Sequence, residues 1–218
     1  MTDHLGFDAA ELTLVQAHRL LLHCVAPRPI ALVSTLSDVH GPNLAPFSYF
    51  MAGGANPPSV VISPLTDRTG QPKDTQRNIE ATGEYVINVV TYEMATQINQ
   101  ASAEYPYGVD EWNECGLTPT PSTKVRPLRV LESPMSIECR LHTIVPHGTG
   151  PLSANYVIGE VVYFHVAAEL WDGDNVRDEA VDYIGRMGGE WYSRANPSSM
   201  FEMPRPPRIE KYPEEPIR

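Results

Sequence analysis

Residues 28–35, RPIALVST, form a run of apolar and β-branched side chains behind a proline, which is the pattern of a buried β-strand. Two similar runs follow closely, LAPFSYFM at 44–51 and PPSVVISP at 57–64, with the turn residues DVHGPN before the second run. A parallel crossover needs about a dozen residues or more, usually in a helix, and no such segment separates these runs. The stretch therefore predicts antiparallel strands and a mainly β fold.

The strand pattern continues in the rest of the chain. EYVINVV at 84–90 has the composition of another buried strand. PMSIECRLHTIVP at 134–146 and ANYVIGEVVYFHVA at 154–167 alternate apolar and polar residues, so we expect a long hairpin with a β-bulge at Gly159. Roughly six to eight strands with few helices predict a small β-barrel with flanking helices.

Helices are expected over residues 8–22 and 91–105, where apolar residues recur at helical spacing. A third helix should begin at Pro72, with Asp74 or Thr75 as its cap, and end at Gly83. Residues 106–126 have no periodicity and predict a long surface excursion of the kind that forms a lid or a partner arm. We expect a single domain over 1–203 and a proline-rich tail over 204–218.

The composition excludes several classes of function. The 218 residues carry a formal net charge of −11, which argues against a nucleic-acid partner. The chain has neither a long apolar run nor a signal peptide, so we expect a cytoplasmic protein without a membrane segment. Its three cysteines are far apart, as expected for reduced thiols. The histidines are also scattered, and we expect no metal site.

The segment GQPKDTQRNI at 70–79 places several polar side chains where a loop becomes a helix. A helix N-terminus presents free N–H groups and a partial positive charge, which suit a phosphate. Lys73 adds a full charge there and Thr75 a hydroxyl, while Arg77 and Asn78 lie one turn along. The alternative is an ordinary helix start in which Asp74 or Thr75 is a cap and the basic residues are solvated. The segment alone leaves both interpretations open.

A second polar group lies at strand ends. It comprises Ser34 and Thr35 at the end of the first strand and Asn43, Ala45, Ser48 and Tyr49 along the next. Small hydroxyl and amide residues allow the backbone to approach a flat polar ring, although they also satisfy ordinary turns. The chain lacks a G-x-S-x-G motif, a P-loop and a dinucleotide fingerprint. A bound organic cofactor that carries the reaction would account for these absences.

An ordered series of blocks resembles the flavin reductase-like, FMN-binding split-barrel family over residues 27–192. The blocks are RPIALVST, NLAPFSYF, PPSVVIS, KDTQRNI, GEYVINVV, GEVVYFHV and IGRMGGEWY. The resemblance implies an antiparallel six-stranded split β-barrel that forms a homodimer and binds FMN in a groove near the subunit interface. It also implies NADH or NADPH as electron donor, and free flavin, a metal ion or a partner enzyme such as a monooxygenase as electron acceptor.

The same resemblance assigns cofactor-binding residues by motif position. The residues implied are Arg28, Ser34 and Thr35 on the first strand, Asn43, Ala45, Ser48 and Tyr49 on the second, Lys73, Thr75 and Asn78 near the phosphate, and Arg186 in a late motif. Pro72 stands where family members often have a basic residue, so Arg68 is expected to supply that charge. No catalytic side chain is implied, because the flavin itself accepts the hydride.

The leading hypothesis is therefore an NAD(P)H-dependent flavin reductase. The alternative is a non-enzymatic, flavoredoxin-like FMN electron carrier. A split barrel that binds pyridoxal phosphate or haem is a third interpretation, with His142 or His165 as axial ligand of the haem. His142, His147 and Trp112 are interpreted as packing or surface residues. The identity of the electron acceptor and the choice between NADH and NADPH are not legible in the sequence.

Overall fold

The computed structural model describes residues 3–106 and 109–207. Its strands are β1 (Arg28–Pro29), β2 (Ala31–Ser37), β3 (Gly41–Phe47), β4 (Phe50–Ala55), β5 (Pro58–Ile62), β6 (Glu84–Val89), β7 (Pro119–Thr120), β8 (Arg129–Val130), β9 (Met135–His147), β10 (Ala154–Val166), β11 (Tyr183–Arg186) and β12 (Tyr192–Ala195). Its α-helices are α1 (Leu14–Cys24), α2 (Asp74–Thr82), α3 (Ala95–Gln100) and α4 (Glu111–Cys115). The predicted mainly β fold is confirmed.

The principal sheet has the order β3-β2-β6-β9-β10-β5-β4, and each neighbouring pair is antiparallel. Its edge strands β3 and β4 are consecutive in the chain, with Ser48 and Tyr49 between them. Three Cα–Cα steps span at most about 11 Å, so the two edges lie close together and the sheet curls into a barrel. Because β3 and β4 are two halves of one bent strand, the predicted six-stranded split barrel is confirmed.

Two apolar clusters explain why β2 is a continuous hydrophobic run. Ala31 and Val33 pack in the barrel interior with residues such as Ile62 and Val157. Leu32 belongs to a second cluster outside the barrel. Both faces of β2 are therefore buried, as its sequence indicates.

The long hairpin is confirmed as β9 and β10, and its register shifts between Ile158 and Gly159, where the bulge is predicted. A Cβ atom at Gly159 would lie 1.9 Å from the hydroxyl oxygen of Tyr85. Only glycine therefore fits beneath the buried Tyr85 ring.

The helices differ from the sequence expectations mainly in where they start. Thr13 forms a capping box with Gln16, so α1 begins later than residue 8. Lys73 occupies the N-cap position of α2, so the prediction of Asp74 or Thr75 as cap is wrong, whereas Gly83 ends the helix with φ 71°. The predicted helix over 91–105 is a short 3₁₀ turn followed by α3.

The expected surface excursion over 106–126 is wrong for the described part of that segment. Trp112, Cys115 and Leu117 are buried in the outer cluster. Backbone N–H groups of residues 123–125 donate to the buried carboxylate of Glu138. The sequence does not signal this packing, because the segment contributes single side chains from a five-residue helix and has no periodic pattern.

A small sheet of order β1-β11-β12 lies beside the barrel and pairs Arg28 with Arg186. The start of the predicted tail, residues 204–207, has no regular structure, and 208–218 lie outside the described residues, as do Tyr107 and Gly108 within the predicted excursion. Within 3–106 and 109–207, no helix is long and apolar enough to cross a membrane.

Candidate functional site

Four of the predicted site residues meet in one buried hydrogen-bond network between the barrel and α2. The Oδ1 atom of Asn43 accepts from the hydroxyls of Thr35 at 3.2 Å and Thr75 at 2.9 Å. Asn78 donates its Nδ2 to Thr35 Oγ1 at 3.0 Å. All four side chains are at least nine-tenths buried, so they fasten α2 to β2 and β3.

A residue that sequence reasoning missed completes this network. Glu111 of α4 is 7% exposed, and its Oε1 accepts from Asn43 Nδ2 at 2.7 Å. Its Oε2 accepts from the backbone N–H of Leu44 at 3.3 Å. Burial raises the pKa of Glu111 against these hydrogen bonds, and the nearby Asp74 raises it further. No motif marks Glu111, because it is a single acidic residue in a segment without periodicity.

The N-terminus of α2 differs from a self-contained helix start. Lys73 makes no side-chain cap hydrogen bond at this end, and its own side chain is exposed. The N-cap side chain therefore leaves the first-turn N–H groups of α2 without a hydrogen bond from it, and the ammonium group of Lys73 lies at the same end of the helix. These features fit an anionic group such as a phosphate.

Two buried hydroxyls lie beside the bend between β3 and β4. Tyr49 and Ser63 are joined by a backbone hydrogen bond from Ser63 N to Tyr49 O of 2.8 Å. Neither hydroxyl has a hydrogen-bond partner among the described residues, although both oxygen atoms are buried. Burial raises the pKa of the Tyr49 hydroxyl, and the Arg28 guanidinium opposes that shift. Unpaired buried hydroxyls fit the polar edge or the ribityl chain of a flavin.

The guanidinium group of Arg28 donates hydrogen bonds to other parts of the protein itself. Its Nη1 atom donates to the carbonyl oxygens of Leu22 at 2.6 Å and Val25 at 2.7 Å. Its Nη2 atom donates to Met187 O at 2.9 Å, and its Nε donates to Ser48 Oγ at 3.3 Å. The side chain thus joins α1 and the small sheet to the bend between β3 and β4.

The remaining predicted residues lie apart from the network. Ser34 donates to the carbonyl of Leu128, and Ala45 packs against the barrel interior. Arg186 donates to Gly189 O at 2.6 Å and lies 4.5 Å from the centre of the Tyr192 ring. The side chain of Arg68 is 87% exposed and forms an ion pair with Glu104 at 3.7 Å. The positive charge that the sequence assigns to the phosphate site is therefore partly neutralised by Glu104.

Two of the histidine and tryptophan alternatives, His165 and Trp112, have structural explanations. His165 Nε2 lies within hydrogen-bond distance of Glu138 Oε1, at 2.5 Å. This hydrogen bond uses the ring nitrogen that would otherwise bind a haem iron. Trp112 packs in the outer cluster. Among residues 3–106 and 109–207, no group of three or more His, Cys, Asp or Glu side chains is arranged to hold a metal ion.

Comparison with known proteins gives consistent matches. A family model described as flavin reductase like domain matches residues 22–179. An uncharacterized protein of Halalkalibacterium halodurans is 35% identical over 191 residues, covering 87% of this chain and 90% of its own.

Solved structures extend the similarity to the fold. Nitrilotriacetate monooxygenase component B from Bacillus cereus superposes with a TM-score of 0.87 at 30% identity, over 93% of this chain and 100% of its own. The 2-nitrobenzoate 2-nitroreductase of Pseudomonas fluorescens gives a TM-score of 0.79 at 29% identity, over 97% of this chain and 100% of its own.

Proposed function

Because this chain belongs to the flavin reductase-like family, we propose that it is an FMN-dependent oxidoreductase that takes hydride from NADH or NADPH. The observation that carries the proposal is the N-terminus of α2, which lacks a side-chain cap at Lys73 and has that exposed lysine beside it. A phosphate placed there would accept hydrogen bonds from backbone N–H groups. It would also be attracted by the positive end of the helix dipole and by the charge of Lys73.

A bound flavin supplies the hydride acceptor and the electron store, so the protein needs no acid–base pair of its own. The chain's contribution is to bind and orient. Lys73 and the first turn of α2 would hold the phosphate end, while the hydroxyls of Tyr49 and Ser63 would provide polar groups beside the bend between β3 and β4. Thr35, Asn43, Thr75 and Asn78 fix the helix that carries the phosphate site.

We propose further that the functional unit is a homodimer. Helix α1 has no buried residue, and its Leu14, Val15 and Leu21 are each at least half exposed. Strand β4 is exposed along most of its length, and Phe164 on β10 is 57% exposed. Apolar surface of this extent supports burial against a second copy.

The electron acceptor is proposed to be a partner enzyme or free flavin. The similarity to a component of nitrilotriacetate monooxygenase supports a partner monooxygenase, to which this chain would deliver reduced flavin. The acidic net charge of −11 favours a partner with a basic docking face.

The test is anaerobic mixing of the FMN-loaded protein with NADH and, separately, with NADPH, while the flavin absorbance is followed. Loss of the oxidised flavin bands within seconds with either nucleotide supports the reductase. Bound flavin that stays oxidised with both nucleotides but is reduced by dithionite supports the electron carrier and rejects the reductase. A protein that binds no FMN rejects both.

A further inference from the structure

The carboxylate of Glu111 occupies a special position in the buried network, because it lies at the end of a chain of donors. Asn78 donates to Thr35, Thr35 and Thr75 donate to Asn43, and Asn43 donates to Glu111. An ionised carboxylate accepts hydrogen bonds but donates none. Its position therefore determines which way the other groups of the chain must point.

The side-chain amide of Asn43 is the group that Glu111 orients. An amide can be turned by 180° with little change in shape, so neighbouring hydroxyls alone do not fix it. Because the Glu111 carboxylate requires a donor, the Nδ2 atom must face it at 2.7 Å. The Oδ1 atom then faces Thr35 and Thr75, and both hydroxyls must donate to it.

The position of Glu111 itself is fixed by the packing of α4. Asp110 caps this helix by accepting from Trp112 N at 3.1 Å. Trp112 and Cys115 are buried in the outer cluster on the same helix. The packed side chains of Trp112 and Cys115 therefore hold the backbone that carries Glu111 in place.

Hydrogen bonds from Asn43 and Leu44, rather than an ion pair among the described residues, compensate the buried Glu111 carboxylate. No Lys or Arg within 3–106 and 109–207 forms an ion pair with Glu111, and burial raises its pKa. Burial of the Glu111 carboxylate costs free energy that the hydrogen bonds from Asn43 and Leu44 offset only in part, which is why its pKa is raised. A buried carboxylate with a raised pKa is a candidate for a functional role.

We propose that Glu111 is a positioning residue for the phosphate end of the flavin site. Its carboxylate orients Asn43, through which Thr35 and Thr75 hold the first turn of α2 against the barrel. The inference rests on the proposed flavin-binding function and adds to it a residue that comes from α4, outside the blocks that resemble the family.

The experiment compares FMN with riboflavin, which lacks the phosphate, in fluorescence titrations of Glu111→Gln. The amide puts a donor opposite Asn43 Nδ2 or Leu44 N, so the network cannot form as it stands. We expect FMN to bind about tenfold more weakly, which is about 1.4 kcal/mol, while the dissociation constant of riboflavin changes less than twofold. Glu114→Gln is the matched control, because Glu114 is exposed on the same helix and its substitution removes the same charge.

A second variant reverses the polarity of the central bond. In the double variant Asn43→Asp with Glu111→Gln, the new carboxylate at position 43 accepts from the new amide at position 111 and from both threonines, and the net charge is that of the wild type. We expect it to recover FMN affinity to within about threefold of the wild type, which is about 0.7 kcal/mol.

The outcomes separate this inference from the proposed function. Equal weakening of FMN and riboflavin, no weakening of either, or failure of the double variant to recover affinity would each overturn the positioning role. A wild-type protein that binds neither compound would instead overturn the flavin site itself. Thermal melting of each variant fixes a titration temperature at which all variants are folded, so that a loss of affinity measured there does not reflect unfolding.

Discussion

Glu138 Oε1 and His165 Nε2 lie 2.5 Å apart, and the carboxylate of Glu138 has no exposed surface. The same carboxylate accepts from the backbone N–H groups of Thr123, Lys124 and Val125 at 2.7, 2.6 and 3.2 Å. One side chain of β9 therefore holds a loop that the sequence predicts to be a free surface excursion. These hydrogen bonds hold residues 123–125 against β9.

Replacement of Glu138 should release this loop. We expect Glu138→Gln to lower the free energy of unfolding by about 2 kcal/mol, because the amide presents a donor to backbone donors. Urea denaturation followed by circular dichroism measures the change. Glu160→Gln, an exposed acid on β10, should change stability by less than about 0.5 kcal/mol. Equal stability of the two variants would contradict the role given to Glu138.

The same residue should make stability depend on pH in the acid range. Burial opposes ionisation of Glu138, but His165 and the backbone of Thr123 and Lys124 hold its pKa below the usual value. With a lowered folded-state pKa, the stabilisation is complete above the unfolded value of about 4.3 and is lost as pH falls through the folded value. The stability difference between wild type and Glu138→Gln should therefore shrink below about pH 4. A difference that is the same at about pH 7 and about pH 3.5 would argue against an ionised Glu138.

Gly159 should not tolerate a methyl group. Gly159→Ala places a Cβ atom 1.9 Å from the hydroxyl and 2.7 Å from the ring carbon Cζ of the buried Tyr85. We expect a loss of about 3 kcal/mol, because the ring must move within a close-packed barrel. Gly54→Ala on β4 is the control, since nothing lies within 4 Å of its Cβ position. Thermal melting that is equally unaffected in both variants would show that the barrel accommodates the contact.

Arg28 should act as an anchor for α1. A lysine at this position has one ammonium group and cannot reach Leu22, Val25 and Met187 together. We expect Arg28→Lys to cost about 2 kcal/mol and to increase hydrogen exchange in α1 more than in the barrel strands. Arg19→Lys, at an exposed position on α1, should leave both unchanged. Uniform exchange in the two variants would mean that Arg28 does not hold the helix.

Lys73 should contribute to binding of the flavin phosphate. We expect Lys73→Ala to weaken FMN binding about tenfold, with a smaller effect at high salt and little effect on riboflavin. Lys124→Ala removes the same charge from an exposed position and should leave FMN binding unchanged. Loss of affinity in both variants would point to a general effect of net charge on the binding of an anion.

The barrel could be predicted because its strands carry their own signal. The apolar run from Ala31 to Val33 and the alternation of β9 and β10 are local patterns, and Gly159 marks the bulge because no other residue fits. The packing of α4 and of the loop at residues 123–125 could not be predicted in this way. Glu111 and Glu138 act through backbone and side-chain partners that are distant in sequence, such as Asn43 for Glu111, and no local pattern reports such pairs.

In the candidate site, too, the sequence indicates which residues matter but not the contacts that they make with distant residues. The motifs assign Thr35, Asn43, Thr75 and Asn78 to direct contact with the cofactor, and the structure brings them together in a buried network. Their assignment to the cofactor stays a prediction. The sequence could identify the cluster but not the direction of its hydrogen bonds, because direction depends on Glu111.

The most direct test of the flavin site is a titration of the purified protein with FMN, followed by flavin fluorescence and by the visible absorbance of the flavin. We predict saturable binding of one FMN per chain and a dissociation constant of about 1 μM or lower. Flavin fluorescence and absorbance that stay unchanged at protein concentrations of about 100 μM would contradict the flavin site at α2.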